Sequence, residues 1–207
     1  MHFEVLVEER SAEVALQRLL PKIFGSDHTF EIQDLRGKRN LLKKLPGRLK
    51  AYRRFIQRNH KLVVLVDQDK QDCLALKAQL EQAAREAGLA TRSEPASDGH
   101  FVVLNRIAIE ELEAWFFGDP EALRAVYPKL PPTLQEKEKY RSADQIADTA
   151  EALGALLRQA GYYSTRLPKV QVAQQVAEHM DPDRNRSPSF CQFRDALREM
   201  AATGPEM

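Results

Sequence analysis

Residues 62–66, Leu-Val-Val-Leu-Val, constrain the fold of this chain more than any other segment. The run is short, wholly aliphatic and rich in β-branched residues, with no polar alternation. That pattern predicts a strand buried on both faces, as in the centre of a parallel sheet. Elements of the right kind surround it. Residues 3–7 read as a second buried strand, and Ser11 or a neighbour opens a helix carrying Val14, Leu16, Leu19, Leu20 and Ile23 at helical spacing. Gly25-Ser26-Asp27 ends that helix, and residues 29–33 form a weaker strand. Residues 71–87 are expected to be helical up to Gly88, 89–99 to be loop or sheet edge, 101–107 to be a strand, and 110–117 to begin another helix. Strand and helix thus alternate to about residue 118, which predicts an α/β fold with a mainly parallel, Rossmann-like sheet.

Beyond that point the chain reads as helical. Asp119-Pro120 supplies an N-cap followed by proline at the first helical position. Ser142 to Gln145 has the form of a capping box, and residues 168–179 and 189–202 are the last helices. The expected division is a core over residues 1–118 and a helical extension over 119–207 packed on it, with a frayed tail over 201–207.

The charge is unevenly spread. The formal net charge is +1, yet no acidic residue lies between Asp34 and Asp67, while eleven lysines and arginines run from Arg36 through Arg58 to Lys61. Within this stretch Leu41, Leu45, Leu49, Tyr52 and Ile56 recur every three or four residues, so one helical face packs inward and the cations face out. Pro46 is expected to split it into two helical pieces. A basic face of this kind suits a sugar–phosphate backbone held by charge, with Lys43, Lys44, Arg48, Arg53 and Arg54 as the contacts. It also suits a solvated surface or a docking face for another protein.

The acidic residues cluster at strand ends. Asp67 and Asp69 follow the central strand, where open α/β sheets bind ligands. In an extended chain the two side chains point the same way. Paired hard oxygen donors suit Mg²⁺ or Mn²⁺ completed by water and phosphate. Alone, Asp-x-Asp is a weak signal, because one aspartate often caps the next helix. Glu8 strengthens it by ending the first strand, where it faces the pair if the two strands are neighbours. After the fourth strand come Glu110, Glu111 and Glu113. As helical residues, Glu110 and Glu113 would share a face and Glu111 would be turned about 100° away. Trp115, the single tryptophan, reads as a core anchor.

Residues 3–13 (FEVLVEERSAE), 62–69 (LVVLVDQD) and 109–119 (IEELEAWFFGD) together resemble a Toprim-like bacterial family of unknown function. Its members are often encoded beside an AAA-type ATPase, and it is akin to the overcoming-lysogenisation-defect nucleases. The likeness continues through Ser187-Pro-Ser189-Phe190 and so covers most of the chain. It implies that Glu8 acts in acid–base chemistry and that Asp67 and Asp69 bind metal. Glu113, in the matching Leu-Glu-Ala-Trp, would be a further ligand with Glu111 beside it. Lys169 and Ser189 would border the site. One departure is Glu9, which stands where many Toprim domains have glycine and argues against topoisomerase or primase-like activity.

The function expected from this resemblance is a Mg²⁺- or Mn²⁺-dependent nuclease or nuclease-like effector. It would work with an AAA/ABC-type ATPase against phage or other foreign DNA, with DNA, RNA or tRNA as substrate. Two other readings stay open: a non-catalytic regulatory or toxin subunit binding an ATPase and nucleic acid, and a Mg²⁺-dependent phosphotransfer enzyme acting on a small molecule. No glycine-rich phosphate loop is present, so the chain is not itself the ATPase. The two distant cysteines form neither a disulfide framework nor a zinc ribbon. No stretch approaches the roughly 20 apolar residues of a membrane span. A cytoplasmic protein is therefore expected, with a homo-oligomer left open.

Overall fold

The computed structural model describes residues 1–57 and 59–202, so Arg58 of the basic segment and residues 203–207 of the expected tail lie outside the described residues. The order of elements to residue 108 is β1 (His2–Val7), α1 (Arg10–Phe24), β2 (Thr29–Asp34), α2 (Lys38–Phe55), β3 (His60–Asp67), α3 (Cys73–Glu86) and β4 (Val103–Ala108). The four strands form one sheet in the order β2-β1-β3-β4, and every pairing is parallel. The α/β expectation is met, and β1 and β3 are direct neighbours with Val7 opposite Leu65.

β3 explains its own composition. Val63 and Leu65 enter one apolar cluster with Phe3, Val5 and Val7 of β1 and Leu16, Leu19 and Leu20 of α1. Leu62, Val64 and Val66 enter a second cluster with Leu41, Leu45 and Leu49 of α2 and Leu76 and Leu80 of α3. Alternate residues of a strand face opposite ways, so a strand sandwiched between two helical layers must be aliphatic at every position.

α2 differs from expectation, since it runs unbroken through Pro46. A proline inside a helix costs about 3 kcal/mol, and burying a leucine returns roughly 1.5–3 kcal/mol. Leu41, Leu45 and Leu49 lie on both sides of Pro46 and are all buried against the sheet, so packing outweighs the missing backbone donor.

The remaining α-helices among the described residues are α4 (Glu113–Phe117), α5 (Pro120–Val126), α6 (Glu138–Arg141), α7 (Thr149–Gln159), α8 (Lys169–His179) and α9 (Pro188–Ala202). Their apolar residues, Trp115, Leu153, Val176 and Phe190 among them, join the same cluster as Phe3 and Val5. α8 packs chiefly along α1. Trp115 is fully buried, donates from Nε1 to Ser189 Oγ at 3.0 Å, and lies edge-on to Phe190.

Three local expectations need correction. α4 begins at Glu113, because Glu110 adopts a left-handed backbone (φ 58°) that ends any helix begun there. Glu110 and Glu113 therefore do not share a helical face. The Ser142 segment forms only a short 3₁₀ turn over Ala143–Gln145, with no side-chain cap from Ser142. α7, not singled out from sequence, is capped from a distance by Glu111.

Candidate functional site

Parallel strands place their carboxyl ends on one rim, and three acidic segments meet there. Glu8 follows β1, Asp67 is the last residue of β3, and residues 109–113 follow β4. Asp67 is 6% exposed and Glu113 is 1% exposed. Burial, reinforced by the charges of Glu8 and Glu113, holds the Asp67 carboxyl well above its ordinary value. Burial also pushes Glu8 up to about 7, with Lys38 pulling against it and Asp69 and Glu9 adding to it. Glu113 is pushed up to about 7 by burial against the pull of Lys169, with Glu111 adding to the rise. One oxygen each of Glu8 and Glu113, Oε2 in both, is buried without a hydrogen-bond partner.

Asp69 behaves differently from Asp67. The chain leaves the extended conformation there (φ 50°), which aspartate tolerates better than most residues. Its amide donates to Glu110 O at 2.7 Å, and Gln68 N donates to Ala108 O at 2.8 Å, tying the β3 and β4 loops together. The expected parallel projection of Asp67 and Asp69 is therefore broken. Asp67 turns inward, while Asp69 stays at the rim and pairs with Lys38 Nζ at 2.7 Å. Lys38 also donates to Gln68 O at 2.9 Å.

Glu111 accepts hydrogen bonds from Thr149 Oγ1 (3.1 Å) and Ala150 N (2.7 Å), and so caps α7. Lys169 opens α8 and brings its ammonium to Glu111 (3.4 Å), Glu113 (3.5 Å) and Glu9 (3.9 Å). Burial works to lower its pKa, but Glu113, Glu9, Glu111 and Asp67 outweigh that and hold it well above the ordinary lysine value. Two lysines thus bracket the carboxylates, Lys38 beside Asp69 and Glu8, and Lys169 beside Glu111 and Glu113. Ser189 lies away from this cluster, beneath Trp115, where its amide donates to Asp144 Oδ2 at 2.7 Å.

The basic residues of α2 divide between the two ends of the sheet. The helix returns from the carboxyl rim of β2 to the start of β3. At 1.5 Å per residue, Arg53 and Arg54 therefore lie about 23 Å along it from Lys38. Lys43, Lys44, Arg53 and Arg54 are exposed, whereas Arg48 is half-buried and donates to Gln33 Oε1 at 2.5 Å. Lys38, which sequence reasoning passed over as a site residue, is the α2 cation nearest the acids.

The donors present are hard carboxylate oxygens, two of them buried and unpartnered, and these suit a hard divalent cation. Among the described residues, no three His, Cys, Asp or Glu side chains are arranged to cage an ion unaided. Fewer protein ligands with water and phosphate completing the shell is the usual arrangement for Mg²⁺.

A fully parallel sheet with buried, mutually repelling carboxylates at its carboxyl rim defines an α/β protein with a lysine-bracketed acidic crevice. Its family follows from a match over residues 7–198: the chain belongs to the family described as Domain of unknown function (DUF4276). The matched span includes Glu8, Asp67, Glu113 and Lys169. No curated protein and no solved structure matches the chain. Among the described residues, no helix is long and apolar enough to cross a membrane.

Proposed function

We propose that this chain is a Toprim-type, Mg²⁺- or Mn²⁺-dependent phosphodiesterase that cuts nucleic acid. The observation that carries the reading is the crowding of Glu8, Asp67 and Glu113 in one buried crevice. Buried like charges are costly, and clusters whose pKa values are driven upward in this way are candidates for functional sites. In this reading Asp67 and Glu113 hold the ion, with Asp69 at the rim and Glu111 beside Glu113. A bound divalent ion supplies Lewis-acid neutralisation of the phosphoryl oxygens and eases deprotonation of water.

The chain's own groups do the rest. Glu8, whose carboxyl is pushed up to about 7 by burial and which stands beside Asp67 at the rim, is suited to take a proton from the attacking water or to give one to the leaving oxygen. Lys38 and Lys169 offer ammonium groups at the two edges of the crevice to non-bridging phosphate oxygens. Lys43 and Lys44 extend the cationic surface from the Lys38 side. Partnership with an AAA/ABC-type ATPase, and a role against foreign DNA, rest on the family resemblance alone.

The test is nicking of supercoiled plasmid, and cleavage of RNA and tRNA, by purified protein in Mg²⁺ or Mn²⁺, with and without an ATPase encoded beside it. Cleavage should stop on addition of EDTA and be lost in Asp67→Ala and Glu8→Ala. Undiminished cleavage in those variants refutes the assignment. The non-catalytic reading draws support from Lys169, whose ammonium already compensates Glu111 and Glu113. Binding of the ATPase with no cleavage under any metal would decide for it.

A further inference from the structure

The acidic crevice is flanked by two open grooves. On one side, Lys38 leads into a groove of about 420 Å³ that Arg39, Lys43, Gln71 and Gln79 also line. On the other side, Glu111 and Lys169 help line a larger groove of about 610 Å³. Arg158, near the end of α7, and Arg166, in the loop before α8, line it as well. Lys38 reaches Asp69 and Lys169 reaches Glu113. The carboxylates therefore lie between the two grooves.

Arg158 and Arg166 are exposed, and neither guanidinium has a hydrogen bond or ion pair among the described residues. Arg85, Arg92, Arg184 and Arg198, by contrast, are each paired with a carboxylate. The larger groove holds three cations against Glu111 and Glu151, and Glu111 is already satisfied by the start of α7. Two uncommitted guanidinium forks, in a groove of the size that ligands occupy, suit bidentate binding of phosphate.

We propose that this second groove binds the sugar–phosphate backbone on the far side of the scissile bond. The substrate is then a continuous strand gripped on both sides of an internal phosphodiester, and not a chain end or a mononucleotide. The inference rests on the nuclease reading for its scissile bond, while the groove's affinity for a polyanion is measured independently of cleavage. Cation-lined grooves adjoin both Lys38 and Lys169, so a strand can be held on either side of the acids.

The experiment measures binding of a fluorescent single-stranded DNA in EDTA across about 50–200 mM salt. Arg158→Glu/Arg166→Glu should weaken binding about tenfold or more and reduce the slope of log K against log salt by about 0.7 for each arginine lost, the value for a single strand. Arg158→Gln/Arg166→Gln, which adds no new charge, should move both quantities the same way by less, with the fold checked by circular dichroism. Wild-type protein in Mn²⁺ should also open a covalently closed single-stranded circle. Unchanged affinity and slope in both variants overturns the second groove and leaves the cleavage reading standing. Weakened binding in the variants, with no cleavage of any substrate by the wild type either alone or with the ATPase encoded beside it, keeps the groove and refutes the nuclease reading. Absence of polynucleotide binding by the wild type, or trimming of linear DNA with circles left intact, overturns the proposal.

Discussion

Gly118 closes α4 with an ordinary helical backbone (φ −64°), so alanine there meets no conformational strain. By that argument alone, Gly118→Ala would stabilise the protein by about 0.4–1 kcal/mol through the unfolded chain. Its surroundings reverse the sign. A Cβ at Gly118 would lie 2.2 Å from Asn185 Oδ1, 2.8 Å from Ser187 N and 2.9 Å from Ser187 Cβ. None of these is the free end of a flexible side chain. Asn185 Nδ2 donates to Trp115 O at 2.7 Å, Ser187 N donates to Asn185 Oδ1 at 2.9 Å, and Arg186 N donates to Gly118 O at 2.8 Å. Asn185 and Ser187 are both buried. Moving their turn aside strands two or three buried polar groups at about 1–3 kcal/mol each, so partial relaxation still leaves a net loss of about 3–4 kcal/mol. Gly154, inside α7, is the matched control. Its added Cβ would make ordinary contact with Leu167 Cβ at 3.6 Å, so Gly154→Ala should gain up to about 1 kcal/mol. Urea unfolding followed by the fluorescence of Trp115 reads both variants. A Gly118→Ala midpoint at or above wild type would refute the reasoning, since the contact argument would have failed where the distances are shortest.

Two further outcomes are expected. Asp119 is fully buried, caps α5 through Ala122 N (3.2 Å), accepts from Asp181 N (2.9 Å) and pairs with Arg184 through both oxygens (2.8 and 2.9 Å). Asp119→Ala should therefore lower stability by about 3 kcal/mol, the low end for a broken buried pair because Arg184 retains access to water; a loss below about 1 kcal/mol in urea unfolding would contradict this. Glu81 is pushed up by burial, but hydrogen bonding to the Lys77 ammonium (2.6 Å) and the Asn105 amide (3.1 Å) pulls it below the ordinary carboxylate value. Lys77 is itself pushed down by burial, so the pair's pH dependence in acid belongs to Glu81. A depressed carboxyl contributes stability above its unfolded pKa of about 4.3 and loses it as pH falls through the folded value. Wild type should thus exceed Glu81→Gln at pH 7 and converge with it in acid, and a gap independent of pH would count against the pair.

How much of this was legible in the sequence depends on how each group reaches the rim. Residues 62–66 announced a sandwiched strand because every position was aliphatic, and Asp67 and Glu8 could be found because each stands at the carboxyl end of a strand, Asp67 as the last residue of β3 and Glu8 just after β1. Asp119-Pro120 was readable for the same local reason. The left-handed turns at Asp69 and Glu110 were not, because they form where two loops from separate strands bond to each other. Pro46 looked like a break because local propensity carries no knowledge of the sheet beneath Leu41 and Leu49. Lys38, however, was recoverable. The helix between two parallel strands must run against them, so its first residue lies at the carboxyl rim and its last at the opposite edge. Applied to residues 38–55, that rule promotes Lys38 and sets Arg53 and Arg54 apart from the site on sequence alone. Lys169 admits no such shortcut. α8 lies outside every strand–helix–strand crossover, and its first residue meets Glu111 and Glu113 only because the helix packs along α1. Glu8 and Asp67 are therefore written locally, whereas the placing of Asp69 depends on loop–loop bonding and the distal cation is a product of tertiary packing.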